Sequence, residues 1–301
     1  MSIYISLIKI VLVRSVGRSK DVWGKKRRGR HKQQGNKNRK DSVFHPVHIQ
    51  YNAITMALEL KQVGSEEDAR KKCGERIVHL ISDSLPLPTL LLISGGSCLS
   101  LLPVIQMELI RENYDLTGLI IGFIDERFDS KNGNFVTLTR EYASFIEACT
   151  LRGVKFVDTS PVKSDQYEMA MWYGQQIQDD VKKIKHTGGK VIGVLGMGRD
   201  GHIAGILPFP DDERTFSELF ITNEQFVVGY DATGKSPFPK RFTFTYRGIG
   251  ICDNLVAYIT GGEKKEPLQA ALFQKIPFYK NPATFLKTTT IPCDVFTDIS
   301  V

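Results

Sequence analysis

The sequence has few cysteines and no arrangement of them that suggests a bridge or a metal. There are five, widely spaced: Cys73, Cys98, Cys149, Cys252 and Cys293. An odd number at such spacing does not suggest a disulfide framework, and no Cys-x-x-Cys pair suggests zinc. We therefore expect reduced thiols in a cytoplasmic protein, with no metal and no cofactor.

The sequence also lacks an apolar run long enough to cross a membrane. Residues 1–13 are mainly apolar, but Lys9 interrupts them and the stretch is too short for a bilayer. Positive charge follows the apolar part, whereas a secretory signal places it first. The Arg-rich, acid-poor composition weakly resembles an organelle transit peptide, and an upstream translated extension is an equal alternative. We expect no membrane association.

Acidic residues are scarce at the amino terminus, where only Asp21 and Asp41 oppose thirteen cations. The first 41 residues carry +11, so the overall charge of +7 leaves −4 for the rest. The charged part of this segment holds one aromatic residue, Trp23, and no recognised fold, so we do not expect nucleic-acid binding. We predict that residues 1–42 are a basic, disordered extension and that residues 43–301 form a single α/β catalytic domain.

Beyond the extension, apolar runs typical of buried strands alternate with amphipathic helical patterns. Such alternation predicts an α/β fold with a doubly wound, mainly parallel sheet and helices on both faces. The predicted strands are 89–93, 119–124, 155–157, 191–195, 226–230, 241–245, 255–260 and 290–296. The predicted helices are 65–84, 99–111, 164–185 and 264–274.

The most informative segment is 196–204, which follows the apolar strand 191–195. Its glycines permit tight turns, and ligands bind at such strand ends in open α/β sheets. The segment places Asp200 two residues before His202, and histidine is the side chain best suited to proton transfer near neutral pH. The alternative interpretation is an ordinary turn with a solvated Asp-His pair.

Three other strand ends carry polar residues. Gly95, Gly96 and Ser97 end one strand in a turn whose backbone N–H groups suit a phosphate. The triplet 125–127, Asp-Glu-Arg, follows another strand, and the planar guanidinium of Arg127 suits a phosphate dianion. A surface cluster of ion pairs is the alternative there. Lys264 stands at a helix start, an unfavourable place for a cation unless an anion lies nearby.

These segments together resemble a known family. SGGS at 94–97, DER at 125–127, GMGRDGHIAGILP at 196–208, RFTFT at 241–245 and TGGEK at 260–264 are similar to the motifs of 6-phosphogluconolactonases. That family shares its sugar-phosphate isomerase-like fold with glucosamine-6-phosphate deaminases. The resemblance extends from about residue 65 to the carboxyl terminus. It implies hydrolysis of 6-phospho-D-glucono-1,5-lactone to 6-phosphogluconate, a step of the oxidative pentose phosphate pathway.

Details of these motifs favour the lactonase branch over the deaminase branch. Deaminases typically have a TGS turn instead of SGGS and a tyrosine after the Asp-Glu pair. Three positions depart from the usual lactonase pattern: Cys98-Leu99 replaces Thr-Pro, Gly133-Asn134 replaces Ser-Asn, and Arg199 replaces a small residue, Pro or Asn. These departures concern the wall of the sugar site rather than the family.

Lactone hydrolysis assigns a role to each candidate residue. His202 is the expected general base, and Asp200 is expected to orient its imidazole. The phosphate and the sugar are expected to bind to Gly95, Gly96, Ser97, Asp125, Arg127 and Lys264. Arg241 is a further candidate for this contact, although a strand arginine extending to solvent is an equal alternative.

Two other functions stay open at this stage. A deaminase would use Asp125 or Glu126 to abstract a proton from glucosamine 6-phosphate, with His202 assisting ring opening. A non-catalytic protein would bind a sugar phosphate and use its basic extension on RNA or another acidic partner. The expected partner is a small sugar phosphate, and the expected state is a monomer.

Overall fold

A sheet of parallel strands forms the core of the described residues. The computed structural model describes residues 57–160 and 162–301, so the basic segment 1–42 lies outside the described residues. The strands are β1 (Leu58–Gln62), β2 (Thr89–Ile93), β3 (Leu119–Phe123), β4 (Asp125–Arg127), β5 (Lys155–Phe156), β6 (Lys190–Gly196), β7 (Val227–Asp231), β8 (Lys240–Phe244), β9 (Asn254–Tyr258) and β10 (Cys293–Thr297). Seven of them pair in the order β1-β10-β9-β6-β2-β3-β5, all parallel. The predicted α/β fold class is confirmed.

Helices occupy most of the connections between these strands. They are α1 (Glu66–Ser82), α2 (Leu102–Arg111), α3 (Asn134–Glu141), α4 (Ala143–Thr150), α5 (Gln166–His186), α6 (Glu213–Phe216), α7 (Tyr246–Ile249), α8 (Lys265–Phe273) and α9 (Phe285–Thr288). Shorter segments are 3₁₀ turns at Gly96–Leu101, Gly262–Lys264 and Pro282–Thr284, and a π turn at Ser217–Ile221. Among the described helices, none has the length and apolar character that crossing a bilayer requires.

Strand β2 shows why the sheet needs helices on both faces. All five of its residues are buried, and successive side chains point to opposite faces. Leu90 and Leu92 pack in a cluster with residues of α5, whereas Leu91 and Ile93 pack in a second cluster with residues of α1 and α2. Full burial of each leucine contributes roughly 1.5–3 kcal/mol to folding. The uninterrupted apolar run is therefore explained by two cores rather than one.

Two predicted helices begin differently from the expectation. The segment expected as one helix from Leu99 begins as the 3₁₀ turn, and α2 starts at Leu102 with a proline in its first turn. Pro103 has no backbone N–H, so it is tolerated only in that first turn. Helix α5 begins after Asp165, whose carboxylate accepts hydrogen bonds from the N–H groups of Tyr167 and Glu168. The cap fixes the start two residues later than predicted.

A second, smaller sheet was not predicted. Strands β4, β8 and β7 pair antiparallel in that order, separately from the main sheet. The expectation of a single sheet is thus incomplete, because the triplet 125–127 turns away from the end of β3 and pairs with β8. The register places Arg127 opposite Arg241 and Asp125 opposite Thr243. Directly opposed residues share a face, so this pairing brings the two arginines to one surface.

Candidate active site

A cavity of about 590 Å³ opens where β2, β6 and β9 end. This is the edge at which open α/β sheets bind ligands. Every residue predicted for the site lies on its wall: Gly95, Gly96, Ser97, Asp125, Arg127, Asp200, His202, Arg241 and Lys264. The wall also includes residues to which the sequence assigned no role: Ser94, Asn134, Gly196, Met197, Gly198, Arg199, Gly205, Leu207, Lys235, Ser236, Pro237 and Phe238.

The histidine turn, residues 198–202, holds the imidazole in one orientation. His202 Nδ1 lies 2.6 Å from Asp200 Oδ1, and the N–H of Gly198 donates to the His202 carbonyl at 2.9 Å. A Cβ atom on Gly198 would collide with the imidazole, and Gly201 has φ +81°. Glycine is therefore required at both positions for the turn to close. The His202 side chain is 35% exposed, so water can reach it.

Asp200 acts as a hydrogen-bond acceptor for that imidazole. Burial favours the neutral carboxyl, but the hydrogen bond and the charge of His202 outweigh it and lower the Asp200 pKa. An ionised carboxylate accepts only, so in the neutral imidazole Nδ1 carries the proton and Nε2 keeps its lone pair. Among the described residues, Nε2 has no hydrogen-bond partner. This is the arrangement that a general base requires.

The small sheet supports the chain just after His202. The Thr243 hydroxyl donates to the Ala204 carbonyl, and the Tyr230 hydroxyl donates to the Gly205 carbonyl at 2.5 Å. Ala204 has φ +52°, a region that residues other than glycine seldom adopt. A Cβ atom on Gly205 would collide with Asp125. Strands β4, β7 and β8 thus fix the segment after the imidazole as well as their own side chains.

The arginine strand, residues 125–127, forms another part of the wall. Asp125 Oδ2 accepts from Arg241 Nη2 at 3.0 Å, and both side chains are almost fully buried. The alternative of Arg241 extending to solvent is therefore wrong, because its charge is paired beneath the surface. The alternative of a surface ion-pair cluster at 125–127 is wrong as well, since Asp125 and Glu126 are buried.

Arg127 is held beside this pair. Its guanidinium lies 4.4 Å from the centre of the Phe238 ring, within cation–π distance. Burial, and then the nearby charge of Arg241, lower the Arg127 pKa. Within the described part of the chain, the buried Nε groups of Arg127 and Arg241 have no hydrogen-bond partner. Donors and positive charge on one surface suit a planar or tetrahedral anion.

Glu126 points away from the cavity and fixes the backbone behind it. Its carboxylate accepts from the N–H groups of Arg127, Asn134 and Phe135 and from the Thr159 hydroxyl, the last at 2.6 Å. Burial raises the Glu126 pKa to about 7, although these four hydrogen bonds favour the charged form. Glu126 therefore joins the arginine strand to the start of α3.

The turn at residues 95–97 is joined to the arginine strand by Asn134. The Asn134 amide donates to the Asp125 carbonyl at 2.9 Å, and its side chain fills the space that a Cβ on Gly95 would need. Gly96 has φ +61°, so a glycine is favoured there too. The sequence analysis named Asn134 only within the pair Gly133-Asn134, which departs from the family pattern at the wall of the sugar site, and predicted no contact for its side chain. An isolated asparagine gives no periodic signal by which it would be recognised.

Lys264 reaches the cavity from the 3₁₀ turn after β9. Within residues 57–160 and 162–301, no carboxylate lies within 4.0 Å of the Lys264 ammonium group. In the same residues, no group of three or more His, Cys, Asp and Glu side chains forms a candidate metal site. The cavity wall therefore offers hydrogen-bond donors, cations and one oriented imidazole.

The fold and the site together define an open α/β protein with a positively charged cavity and an Asp–His pair at the strand ends. The sequence profile described as glucosamine-6-phosphate isomerases/6-phosphogluconolactonase matches residues 64–292. The chain belongs to this family.

Individual relatives agree with that assignment. A 6-phosphogluconolactonase of Xylella fastidiosa is 28% identical over 188 residues, which cover 60% of this chain and 71% of that protein. The crystal structure of a 6-phosphogluconolactonase from Shewanella baltica superposes with a TM-score of 0.63 at 20% identity, covering 79% of this chain and 96% of that one. A monomeric glucosamine-6-phosphate deaminase gives a TM-score of 0.60 at 17% identity, covering 80% and 96%. Both branches of the family therefore share this fold.

Proposed function

We propose that the protein hydrolyses 6-phospho-D-glucono-1,5-lactone to 6-phosphogluconate. The observation that carries the proposal is the 2.6 Å contact of His202 with Asp200 in the same cavity as Arg127 and Lys264. The pair of Asp200 and His202 can transfer a proton, and Arg127 and Lys264 can bind a phosphate. The curated 6-phosphogluconolactonases to which the chain is similar support the same activity.

The chemistry follows from these positions. His202 Nε2 removes a proton from a water molecule as the water oxygen bonds to the lactone carbonyl carbon. The tetrahedral oxyanion collapses, the bond from that carbon to the ring oxygen breaks, and the imidazolium returns the proton to the departing ring oxygen. The new carboxylic acid then ionises. Arg127 and Lys264 bind the distant phosphate, so its binding energy positions the carbonyl beside His202.

The state of Asp125 argues against the deaminase alternative. A deaminase would need Asp125 or Glu126 as a free base facing the sugar. Asp125 is instead paired with the buried Arg241 at 3.0 Å, and the Glu126 carboxylate accepts four hydrogen bonds on the other side of the strand. Neither carboxylate is available for proton abstraction, so the lactonase activity is favoured.

The proposal extends to the organisation and location of the protein. We propose that residues 43–301 act as one catalytic domain and as a monomer, and that residues 1–42 take no part in catalysis or in nucleic-acid binding. A cytoplasmic location is supported by the five cysteines, all of which are free and buried. Burial raises the pKa of the Cys98 thiol beside the cavity to about 12, so it is not a nucleophile.

Assays of the purified full-length protein on two substrates test the proposal. We expect turnover of 6-phosphogluconolactone above its spontaneous hydrolysis and no release of ammonia from glucosamine 6-phosphate. Ammonia release without lactone turnover would establish the deaminase instead. Binding of both sugar phosphates without turnover of either would support the non-catalytic alternative.

A further inference from the structure

The cavity wall carries more positive charge than a bound phosphate group neutralises. Five cations line the cavity and two carboxylates oppose them, so the wall carries three surplus positive charges when His202 is neutral. The cations are Arg127, Arg199, Lys235, Arg241 and Lys264, and the carboxylates are Asp125 and Asp200. Of the five cations, only Arg241 has a carboxylate within 4.0 Å among the described residues.

A sugar phosphate supplies up to two negative charges at neutral pH. The lactone has no other charged group, so it leaves one positive charge of the wall unmatched. Once the new carboxylic acid has ionised and His202 is neutral again, hydrolysis has added a third negative charge, on the C1 carboxylate. The wall therefore matches the charge of the reacted sugar better than that of the lactone.

Arg199 is the cation placed to meet that third charge. It lies between Gly198 and Asp200, within the turn whose backbone is closed by the Gly198–His202 hydrogen bond. The reacting carbon must lie within reach of His202, and Arg199 is three residues before His202 in the chain and lines the same cavity. Its side chain is exposed and lines the cavity. Arg127 and Arg241, by contrast, project from the paired strands β4 and β8.

We propose that Arg199 forms a second anion subsite, which binds the C1 carboxylate of a ring-opened sugar acid phosphate. The subsite rests on the proposed lactonase function and adds a preference for the product over a sugar phosphate that is neutral at C1. Each charge-assisted contact of this kind contributes enough to change affinity by about tenfold or more. The enzyme therefore binds its product tightly and is inhibited by it.

Calorimetric titration of the full-length protein tests the subsite without turnover. The two ligands are 6-phosphogluconate and glucitol 6-phosphate, which share the phosphate and the hydroxyl chain and differ at C1. We expect the wild type to bind 6-phosphogluconate about tenfold more tightly. Arg199→Gln should abolish that preference and leave the affinity for glucitol 6-phosphate within about twofold.

Two variants serve as controls for the loss of a charge. Arg214→Gln removes an exposed arginine that pairs with Glu218 away from the cavity, and it should keep the preference. Lys235→Gln removes a cation of the same wall, and it should lower the affinity for both ligands to a similar degree. Loss of the preference in Lys235→Gln but not in Arg199→Gln would overturn the assignment to Arg199.

Inhibition kinetics test the Arg199 subsite separately from the proposed lactonase function. In Arg199→Gln, the inhibition constant of 6-phosphogluconate should rise about tenfold while KM for the lactone changes little. Equal binding of the two ligands by a wild type that hydrolyses the lactone would overturn the subsite alone. A wild type that binds neither ligand and does not hydrolyse the lactone would overturn the subsite and the proposed function together.

Discussion

The histidine turn and the arginine strand line one cavity but are built in opposite ways. The turn depends on glycines and keeps its functional side chains accessible, with His202 and Asp200 exposed by 35% and 41%. The strand is largely buried: Asp125 and Glu126 are exposed by only 7% and 1%, and Arg127 is half-buried. A group that takes a proton from water needs contact with water. A group that binds an anion gains from burial, since charges interact more strongly away from solvent.

The two regions also differ in what holds them. The arginine strand is fixed by ladder hydrogen bonds to β8 and by the four bonds to Glu126. The histidine turn is fixed by its own hydrogen bonds, and the chain just after it is fixed by Thr243 and Tyr230 of the small sheet. Mutations in the turn should therefore affect the chemical step. Mutations in the strand should affect binding and stability.

The largest effect is expected from His202→Ala. Loss of a general base typically lowers the rate by about 10²–10⁴-fold, and KM should change little because the phosphate contacts are intact. Initial rates measured above the spontaneous hydrolysis of the lactone provide the test. His186→Ala, at the exposed end of α5, is the matched control. Turnover by His202→Ala at the wild-type rate would remove His202 from the mechanism.

A pH-dependent loss of stability is expected from Glu126. Its pKa is about 7 in the folded protein and near 4.5 in an unfolded chain, so the folded state holds the proton longer. The free energy of unfolding should therefore fall as pH rises from about 4.5 through 7, by at most about 3 kcal/mol. Urea denaturation at several pH values should show this slope in the wild type and not in Glu126→Gln.

The control for that experiment is Glu141→Gln, which removes an exposed carboxylate from α3. It should retain the wild-type slope. If the free energy of unfolding of Glu126→Gln depends on pH as that of the wild type does, Glu126 is ionised between about pH 4.5 and 7. Its four hydrogen bonds would then stabilise the charged form more than burial destabilises it.

A binding defect is expected from Arg127→Ala and from Lys264→Ala. Each loses a charge-assisted contact of about 1.5–3 kcal/mol, or one to two decades in kcat/KM, mainly through KM. Glucono-1,5-lactone, which has no phosphate, should be affected far less. Lys265→Ala changes the adjacent exposed lysine and should behave as the wild type. An equal fall in kcat/KM for both lactones would show that Arg127 and Lys264 do not bind phosphate.

The smallest effect is expected from removal of residues 1–42. The histidine turn and the arginine strand both lie within the described residues, and the charge of the chain divides between +11 and −4 near residue 42. Thermal melting and lactonase rate should therefore stay unchanged within error. A large fall in the melting temperature of the truncated protein would show that the extension stabilises the body.

The main sheet was predictable because its strands are continuous apolar runs. Strand β2 is bounded as expected, and the expected strand 191–195 lies within β6 (Lys190–Gly196), because burial on both faces leaves a strong signal in sequence. The small sheet was not predictable to the same degree. Strand β4 consists of three charged residues, and its pairing with β8 joins positions more than a hundred residues apart. Local patterns carry no information about such a contact.

The candidate site was predictable where glycines and charged residues follow a strand. Gly95, Asp200 and Lys264 were named on that basis, and all three lie on the cavity wall. Lys235 and Phe238 were not named, because they lie inside the irregular loop between β7 and β8 rather than directly after a strand. Glu126 was named only as a base for the deaminase alternative. Its structural role depends on backbone N–H groups that any residue type supplies.

The contact of Gly95 with Asn134 has a consequence for the evolution of this protein. The side chain of Asn134 occupies the space beside Gly95, so position 95 cannot take a larger residue while Asn134 is kept. A lineage that acquires a larger residue at position 95 should first acquire a smaller one at position 134. Two positions that are 39 residues apart would then change in a fixed order. Active enzymes that combine a residue larger than glycine at position 95 with asparagine at position 134 should therefore be absent.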